Sequence, residues 1–507
     1  MPPLTLPQRP PHGAALHSLA ATRQIEQHAL RHAPHQSLVG PAGRAVAQLA
    51  LAIAPHAHRV VVVCGPGHNG ADGLAAAAAL RQRGVLEVCA VDLAGTHSPP
   101  ARRWAHEQAQ AAGVVLDMYA ALDSADVVLD ALLGIGLRTP LSTDLVQWCE
   151  RLNRLAKPVL CVDVPSGLDC DTGDAWFGAV APPGPRDTLS LLTLKPGLFT
   201  GMGRDLAGTV WHHALGSDPA VVGTPACVHW FAPGDSVWPA APAAHHTHKG
   251  SHGDVMVVGG DIGQNSAQHM AGAAVLAARA ALHGGAGRVY LALVGADAET
   301  PVLLDPLEPG LMLRAASSAA RAPAHTVMVC GCGGGDSLAA VLPALLLGEH
   351  PLVLDADALN LIAVSPDAQS GMDQRARLGR FTVITPHPLE AARLCGLSTA
   401  EVQAQRVAVA TQLSQRWRCT TVLKGSGTVV SDPEGQATIN GSGNGRLATA
   451  GTGDVLAGMI GAQLARAGCY TTAVRQAVYA HGRLADQWPA EQALSATRLA
   501  AAARPLA

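Results

Sequence analysis

Short apolar runs alternate with alanine-rich helical stretches along most of this chain. In the first half, Val60–Cys64, Leu86–Val91, Val127–Asp130, Val159–Asp163 and Leu189–Leu194 have the length and β-branched content of buried strands, and Leu74–Arg83 reads as a helix. Such alternation predicts a parallel sheet with helices on both faces. The pattern stops after about residue 218. Residues 219–244 are rich in Pro, Ala and Gly and weakly periodic, which predicts a linker with some extended structure. It resumes with strands at Asp254–Val258, Arg288–Leu293, Thr326–Cys330, Leu352–Asp355, Phe381–Thr385, Thr421–Lys424 and Thr428–Ser431, and with long helices at Ala271–His283 and Val455–Ala467. The expectation is an α/β protein of two domains, 1–218 and 245–507, the first a Rossmann-like parallel sheet, neither a copy of the other.

Composition narrows the classes. At 507 residues the chain is too long for one ordinary core, and 48% apolar against 14% charged residues argues against disorder. A net charge of −3 gives no electrostatic reason to expect nucleic acid or an anionic membrane. No apolar stretch reaches membrane-spanning length, and the proline-rich start, Met1 to Pro11, lacks the pattern of a secretory leader. Eleven cysteines without a framework, among them Cys64, Cys161 and Cys330, fit reduced thiols and a cytoplasmic location. Cys330-Gly331-Cys332 has the form of half a metal site, but no matching Cys or His pair follows, and core or loop thiols are the favoured reading. His245-His246-Thr247-His248 abuts the linker and reads as a solvated run.

Two glycine-rich loops carry the chemistry. The first, Gly65-Pro66-Gly67-His68-Asn69-Gly70-Ala71-Asp72-Gly73, follows a strand and precedes a helix, as in the dinucleotide fingerprint, with Asp92 near the expected acidic position. Asn69 and Asp72, however, put an amide and a carboxylate where a pyrophosphate would prefer neutral donors. Asp130 and Asp163 end later strands, and Ser166 follows in Asp163-Val164-Pro165-Ser166-Gly167-Leu168. Because the carboxyl ends of parallel strands converge on one crevice, Asn69, Asp130, Asp163 and Ser166 are expected to share a site with hard oxygens for a cation and a carboxylate for proton transfer. The plainer alternative is that Asp130 and Asp163 cap helices or tie loops.

With Asp130-Ala131-Leu132-Leu133-Gly134-Ile135-Gly136 and Thr193-Leu194-Lys195-Pro196-Gly197-Leu198, this set resembles the N-terminal YjeF family, the NAD(P)H-hydrate epimerases, over roughly residues 15–215. The resemblance implies potassium at Asn69, Asp130 and Ser166. It also implies a damaged nucleotide held by His68, Asn69, Gly70, Ala71 and Asp72, by Gly134, Ile135, Gly136, Leu137, Arg138, Thr139 and Pro140, and by Asp163. Asp163 is the candidate acid/base, from its place at a strand end. The family's N-N-G-G-D-G reads His68-Asn69-Gly70-Ala71-Asp72-Gly73 here, and its M-E-x-A-G segment appears only as Leu38-Val39-Gly40-Pro41-Ala42-Gly43.

The second loop, Gly451-Thr452-Gly453-Asp454, opens a helix, where backbone N–H groups can stabilise a transferring phosphoryl group and Asp454 can take a proton from an attacking hydroxyl. No G-x-x-x-x-G-K-[ST] is present, which excludes the commonest P-loop. Taken in order, Lys249–Asp254, Leu354–Asn360, Thr385-Pro386-His387-Pro388, Lys424-Gly425-Ser426-Gly427-Thr428 and Gly451–Asp454 resemble the ribokinase-like NAD(P)H-hydrate dehydratases over about 245–490. That resemblance implies ADP as phosphoryl donor, with Mg²⁺. Lys424, Gly425, Ser426, Gly427, Thr428 and Gly453 would contact the nucleotide, and His387 and Asp454 would face the hydrated nicotinamide. Asp355 and Asp357 receive no assigned chemistry. Two departures stand out: Gln264–Met270 precedes Gly272-Ala273-Ala274, and the family's G-P-G-L-G is Gly331-Cys332-Gly333-Gly334-Gly335. Together the halves imply a bifunctional repair enzyme for NADHX and NADPHX, expected as a homo-oligomer. The rival is a small-molecule kinase with a non-catalytic N-terminal binding module.

Overall fold

The protein is described by a computed structural model covering residues 6–32, 37–93, 99–137, 140–239, 244–263, 269–296, 305–468 and 470–507. The chain divides into two compact units, Met1–Trp230 and Phe231–Ala507. Arg138, Thr139 and most of the Gln264–Met270 insertion lie outside the described residues.

The first unit is built on seven strands: β1 (Arg59–Cys64), β2 (Glu87–Asp92), β3 (Val115–Leu116), β4 (Val127–Ala131), β5 (Val159–Val162), β6 (Arg186–Leu191) and β7 (Thr209–His213). All pair in parallel, in the order β3-β2-β1-β4-β5-β6-β7. The order reverses between β1 and β4, where diverging loops leave a crevice. Helix α1 (Val39–Ile53) packs on α2 (His68–Gln82), and a Cβ on Gly43 would lie 2.5 Å from that of Ala75. The alanine-rich α2 is apolar almost all round because the sheet and α1 enclose it.

In the second unit the sheet strands are β8 (Asp254–Gly259), β9 (Arg288–Leu293), β10 (Met312–Leu313), β11 (Val327–Cys330), β12 (Leu352–Leu354), β13 (Thr382–Ile384), β14 (Thr420–Leu423), β15 (Val429–Ser431) and β16 (Ala437–Asn440). Their order is β16-β15-β14-β13-β12-β11-β8-β9-β10, parallel except for the β14-β15-β16 meander. Here the reversal falls between β8 and β11. Helices α3 (Ala271–His283) and α4 (Thr452–Ala467) pack closely, since a Cβ on Gly458 would lie 2.0 Å from the Ala277 carbonyl oxygen. On its other face α4 meets the sheet at Gly461, whose Cβ would lie 2.6 Å from Val329. This close seating fixes where the N-terminus of α4 points.

Several expected boundaries shift, for tertiary reasons. Helix α2 starts at His68 rather than Leu74, so the first glycine loop is largely a helical first turn. Glycine disfavours helix intrinsically, but Gly70 and Gly73 are needed where α2 presses on the Gly65 carbonyl and on Ala131. The strands expected to end at Asp163 and Leu194 end at Val162 and Leu191, and Asp163 and Leu192 take φ of 69° and 63°. Of the 219–244 stretch, the described residues 219–239 hold more order than a linker pattern suggests. Pro219–Val222 is a short helix capped by Asp218, and Val228 and His229 pair antiparallel with Leu16 and Ala15. Val237 is buried in the second unit's core.

Candidate active sites

The first unit's crevice brings together the oxygen-bearing residues expected there. Asn69, Asp130, Asp163 and Ser166 are all buried. The Ser166 hydroxyl donates to Asp130 Oδ1, the Ser166 backbone N–H donates to Asp130 Oδ2 at 3.0 Å, and the Leu133 N–H donates to Ser166 Oγ at 2.7 Å. Gly134, the next residue, packs on Asn69: its Cβ would lie 3.2 Å from Asn69 Cβ. The Asn69 Nδ2 group has no protein partner although it is buried. Burial raises the Asp130 carboxyl above its ordinary range, against the pull of the Ser166 donors.

Asp163 is held in a way its sequence position does not reveal. Its Oδ1 pairs with the wholly buried Lys195 ammonium, which also donates to Leu191 O at 2.7 Å and Ser190 Oγ at 3.2 Å. The Leu191 N–H donates to the same carboxylate oxygen at 3.2 Å. The left-handed turn at Leu192 folds Lys195 back to this point. Asp72 lies nearby on α2; burial, with the Asp163 charge next, pushes its carboxyl well up. The crevice therefore holds one carboxylate beside a fixed cation and one carboxyl that favours its proton.

Other expected contacts differ. Ala71 is fully buried among the α2 core residues, so its methyl group fills core rather than facing a ligand. His68 is exposed at the helix start, Gly134, Ile135 and Leu137 are half-buried, and Gly136 and Pro140 are exposed. Asp92 is not free for a ribose hydroxyl. It pairs with the buried Arg102 guanidinium and with His106 Nδ1 at 2.9 Å, and Arg102 Nε donates to Gly65 O at 2.9 Å. A buried guanidinium requires a counter-charge, and Asp92 supplies it.

The second crevice gathers the loops that follow β11 to β14 around the first turn of α4. Asp355, just past β12, accepts from Lys424 Nζ at 2.7 Å and Thr385 Oγ1 at 2.7 Å through Oδ1. Its Oδ2 faces Cys332 Sγ at 4.0 Å. Lys424 also lies 3.9 Å from Glu390 Oε2, and a Cβ on Gly453 would lie 3.4 Å from Lys424 Nζ. Lys424 and Gly453, both nucleotide candidates, thus adjoin. Burial works to lower the Lys424 ammonium, but Asp355 and Glu390 outweigh it and hold the group above its usual value. Burial, then repulsion from Asp355, pushes Asp454 up to about 6. Glu390 is pushed up to about 7 by burial and Asp355, against the pull of Lys424. The Cys332 thiol is raised by burial and by the Asp454 and Asp355 carboxylates.

His387 caps the helix Pro388–Cys395. Its Nδ1 accepts from Leu389 N at 3.1 Å and Glu390 N at 3.3 Å, while the His387 N–H donates to Glu390 Oε2 at 2.7 Å. With Nδ1 accepting, the ring's proton sits on Nε2, 3.3 Å from Glu390 Oε1. The turn Lys424–Thr428 is pinned from beneath by Arg406, whose buried guanidinium donates to Leu423 O and Lys424 O at 3.1 Å. Thr428 Oγ1 closes the turn on Gly425 O at 3.1 Å, leaving Gly425 and Ser426 exposed and Gly427 buried. Asp357 ties two loops together by accepting the Gly335 N–H at 3.0 Å.

Comparison with known proteins supplies the family. The chain is 34% identical over 452 residues to the bifunctional NAD(P)H-hydrate repair enzyme Nnr of Escherichia coli K12, covering 88% of this chain and 84% of that one. The chain belongs to the bifunctional NAD(P)H-hydrate repair enzymes. Residues 35–197 match the family described as YjeF-related protein N-terminus, and residues 255–505 match NAD(P)H-hydrate dehydratase. The second half is 39% identical over 269 residues to the ADP-dependent (S)-NAD(P)H-hydrate dehydratase of Neisseria meningitidis, covering 52% of this chain and 86% of the relative. Among solved structures, an ADP/ATP-dependent NAD(P)H-hydrate dehydratase from Bacillus subtilis, co-crystallised with ATP/Mg²⁺, is 27% identical with a TM-score of 0.41, covering 52% of this chain and 91% of that one.

Within this repair enzyme, Lys195, Arg102, Glu390 and Arg406 take part in the sites, although the sequence pattern does not single them out. Lys195 and Glu390 stand inside or beside motifs, at Leu194-Lys195-Pro196 and His387-Pro388-Leu389-Glu390, and that proximity is the signal that could have found them. Arg102 and Arg406 lie on helices remote from any motif. Among the described residues no helix is long and apolar enough to cross a membrane.

Proposed function

We propose that this repair enzyme performs both steps its family is named for. The first unit would interconvert (R)- and (S)-NAD(P)HX. The second would dehydrate the S form to NAD(P)H at the expense of ADP, releasing AMP and phosphate. The observation that carries the reading is Asp454, in the first turn of α4 beside Gly453 and Lys424, with its carboxyl pushed up to about 6. A base with that affinity for protons can accept one from the C6 hydroxyl of the substrate near neutral pH. The hydroxyl oxygen then bonds to the β-phosphorus of ADP as the bond to AMP breaks. First-turn N–H groups of α4, which lack intrahelical acceptors, face the charge that develops. Phosphate is a better leaving group than hydroxide, and its loss restores the nicotinamide double bond. In the first unit, Asp163 beside Lys195 would supply a proton acceptor, and Asp72, whose proton affinity burial and the Asp163 charge raise, a proton donor.

The potassium expected in the first unit suits the residues present. Asn69, Asp130 and Ser166 offer hard oxygens on adjoining buried segments, and burial raises the proton affinity of the Asp130 carboxyl, whose charge a cation would offset. A monovalent cation there would offset the buried Asp130 charge and hold the Leu133–Gly134 segment against the substrate. Among the described residues of the second unit, magnesium finds no comparable cage. The metal-capable cluster among the described residues includes a thiol, Cys332, which suits a hard cation poorly. Magnesium is therefore assigned to the phosphates of ADP rather than to this chain.

Chromatography of purified protein with mixed (R)- and (S)-NADHX, K⁺, Mg²⁺ and ADP tests the proposal. Conversion of both epimers to NADH with AMP formation is the expected result. Loss of the S epimer alone would leave the first unit as a binding module. A stable phosphorylated product without NADH would instead favour the small-molecule kinase.

A further inference from the structure

We propose that Cys332, Asp355 and Asp454 form a binding site for one thiophilic divalent cation of the zinc type, and that filling it shuts the dehydratase centre. One ligand atom from each residue lies within 4.8 Å of the other two. Tetrahedral zinc with one sulfur at about 2.3 Å and oxygens at about 2.0 Å needs ligand separations of about 3.5 Å. The thiol already stands 4.0 Å from Asp355 Oδ2.

The three ligands are pre-positioned by separate elements: the loop after β11, the end of β12 and the first turn of α4. Cys332 sits between Gly331 and Gly333, at φ of 120° and 60°, and a Cβ on Gly331 would lie 1.9 Å from the Asp355 carbonyl oxygen. Its own carbonyl accepts the Gly260 N–H at 2.9 Å. The loop is therefore fixed at both ends of the cysteine. Asp355 divides its work: Oδ1 holds Lys424 and Thr385, while Oδ2 is turned to the thiol. A cation on Oδ2 need not displace the ammonium. Binding forms the metal–sulfur bond as the thiol proton leaves to solvent, with no change of oxidation state.

The cation would take a carboxylate oxygen of Asp454 and so draw off the charge with which that group accepts the substrate proton, so that part of the inference rests on the dehydratase reading above. The departure of Gly331-Cys332-Gly333-Gly334-Gly335 from G-P-G-L-G thus gives this chain a metal-responsive centre. The half-motif Cys330-Gly331-Cys332 finds its partners in carboxylates at the end of the adjoining strand β12 and in the first turn of α4 rather than in a second Cys or His pair. Cys330 itself is a buried core thiol of β11.

Titration of the metal-free full-length protein with Co²⁺, followed by the thiolate-to-cobalt charge-transfer absorption, reads the site directly. Wild type is expected to show a saturable band equivalent to one cobalt per chain, abolished by added Zn²⁺. Cys332→Ala and Cys332→Ser should lose the band. Asp454→Asn, which keeps the thiol, should move its midpoint to cobalt concentrations about tenfold higher or more, and it serves as the test should the cysteine variants not fold. No band, or a band unchanged in Cys332→Ala, overturns the site. Zn²⁺ should also stop NADH formation by wild type, reversibly with a chelator. Uninhibited turnover with the cobalt band intact would overturn the blocking role alone. A Cys332-dependent band in a protein with no dehydratase activity would leave the site standing and remove the functional reading.

Discussion

In the first unit Asp163 and Asp130 are matched by donors and Asp72 alone of the crevice carboxyls described is crowded by a neighbouring charge, whereas in the second Asp355, Glu390 and Asp454 crowd one another. Asp163 rests on the enclosed Lys195, and Asp130 on the hydroxyl and backbone N–H of Ser166. Around Asp454, by contrast, Asp355 and Glu390 share the single ammonium of Lys424. Both sites lie where the strand order reverses, so topology alone does not explain the difference. Matched charges give a rigid oxygen cluster suited to holding a cation and a polar substrate. Unmatched carboxylates raise one another's proton affinity, which prepares a base for neutral pH.

Mutations can break this comparison from either side. Asp454→Ala should lower dehydratase kcat by about 10²–10⁴-fold and leave epimerisation unchanged; parallel assays on one preparation check it, and loss of both activities in a folded protein would contradict separate sites. Lys195→Met leaves Asp163 buried without its cation and should cost about 3–5 kcal/mol, seen as a lower urea midpoint with epimerase loss. Arg406→Met strips the carbonyls of Leu423 and Lys424 of their donor, at about 1–3 kcal/mol, and should raise KM for ADP more than it changes kcat.

Smaller effects sharpen the contrast. Dehydratase kcat should fall as pH drops through about 6, because Asp454 then gains the proton it must be free to accept. Asp355→Asn removes the repulsion that raises Asp454, so the acid limb should move to lower pH; a limb that stays put would show that repulsion is not the cause. Ala71→Gly restores the family's glycine but introduces helix flexibility at a cost of about 1 kcal/mol. Thermal unfolding should record that loss while epimerase kcat stays constant, since the methyl group faces the core.

Much of the fold was legible because its signals are local. Apolar runs bounded by glycine and proline marked most of the sheet strands to within a few residues, but not Val115–Leu116, Thr209–His213, Met312–Leu313 or Ala437–Asn440, and Ala271–His283 and Arg288–Leu293 match their expected spans. Helix α2 was shortened because Gly70 and Gly73 look like loop residues unless the opposing Gly65 and Ala131 are known. Asp92 fitted a ribose-binding spacing, but the long-range partner that claims it, Arg102, shares no motif with it. Cys332 lacked a second cysteine pair in sequence and has two carboxylates in space.

By itself the sequence determined the two α/β units, the order of their strand-end motifs and the family these imply, because hydrophobic period and glycine loops act over a few residues. Only the tertiary structure decided which charges meet. Lys195 reaches Asp163 by a left-handed turn, Lys424 is directed to Asp355, and Cys332 is brought against Asp355 and Asp454. Proton affinity depends on burial and on neighbours a few ångströms away, and parallel strands bring those neighbours from segments far apart in the chain.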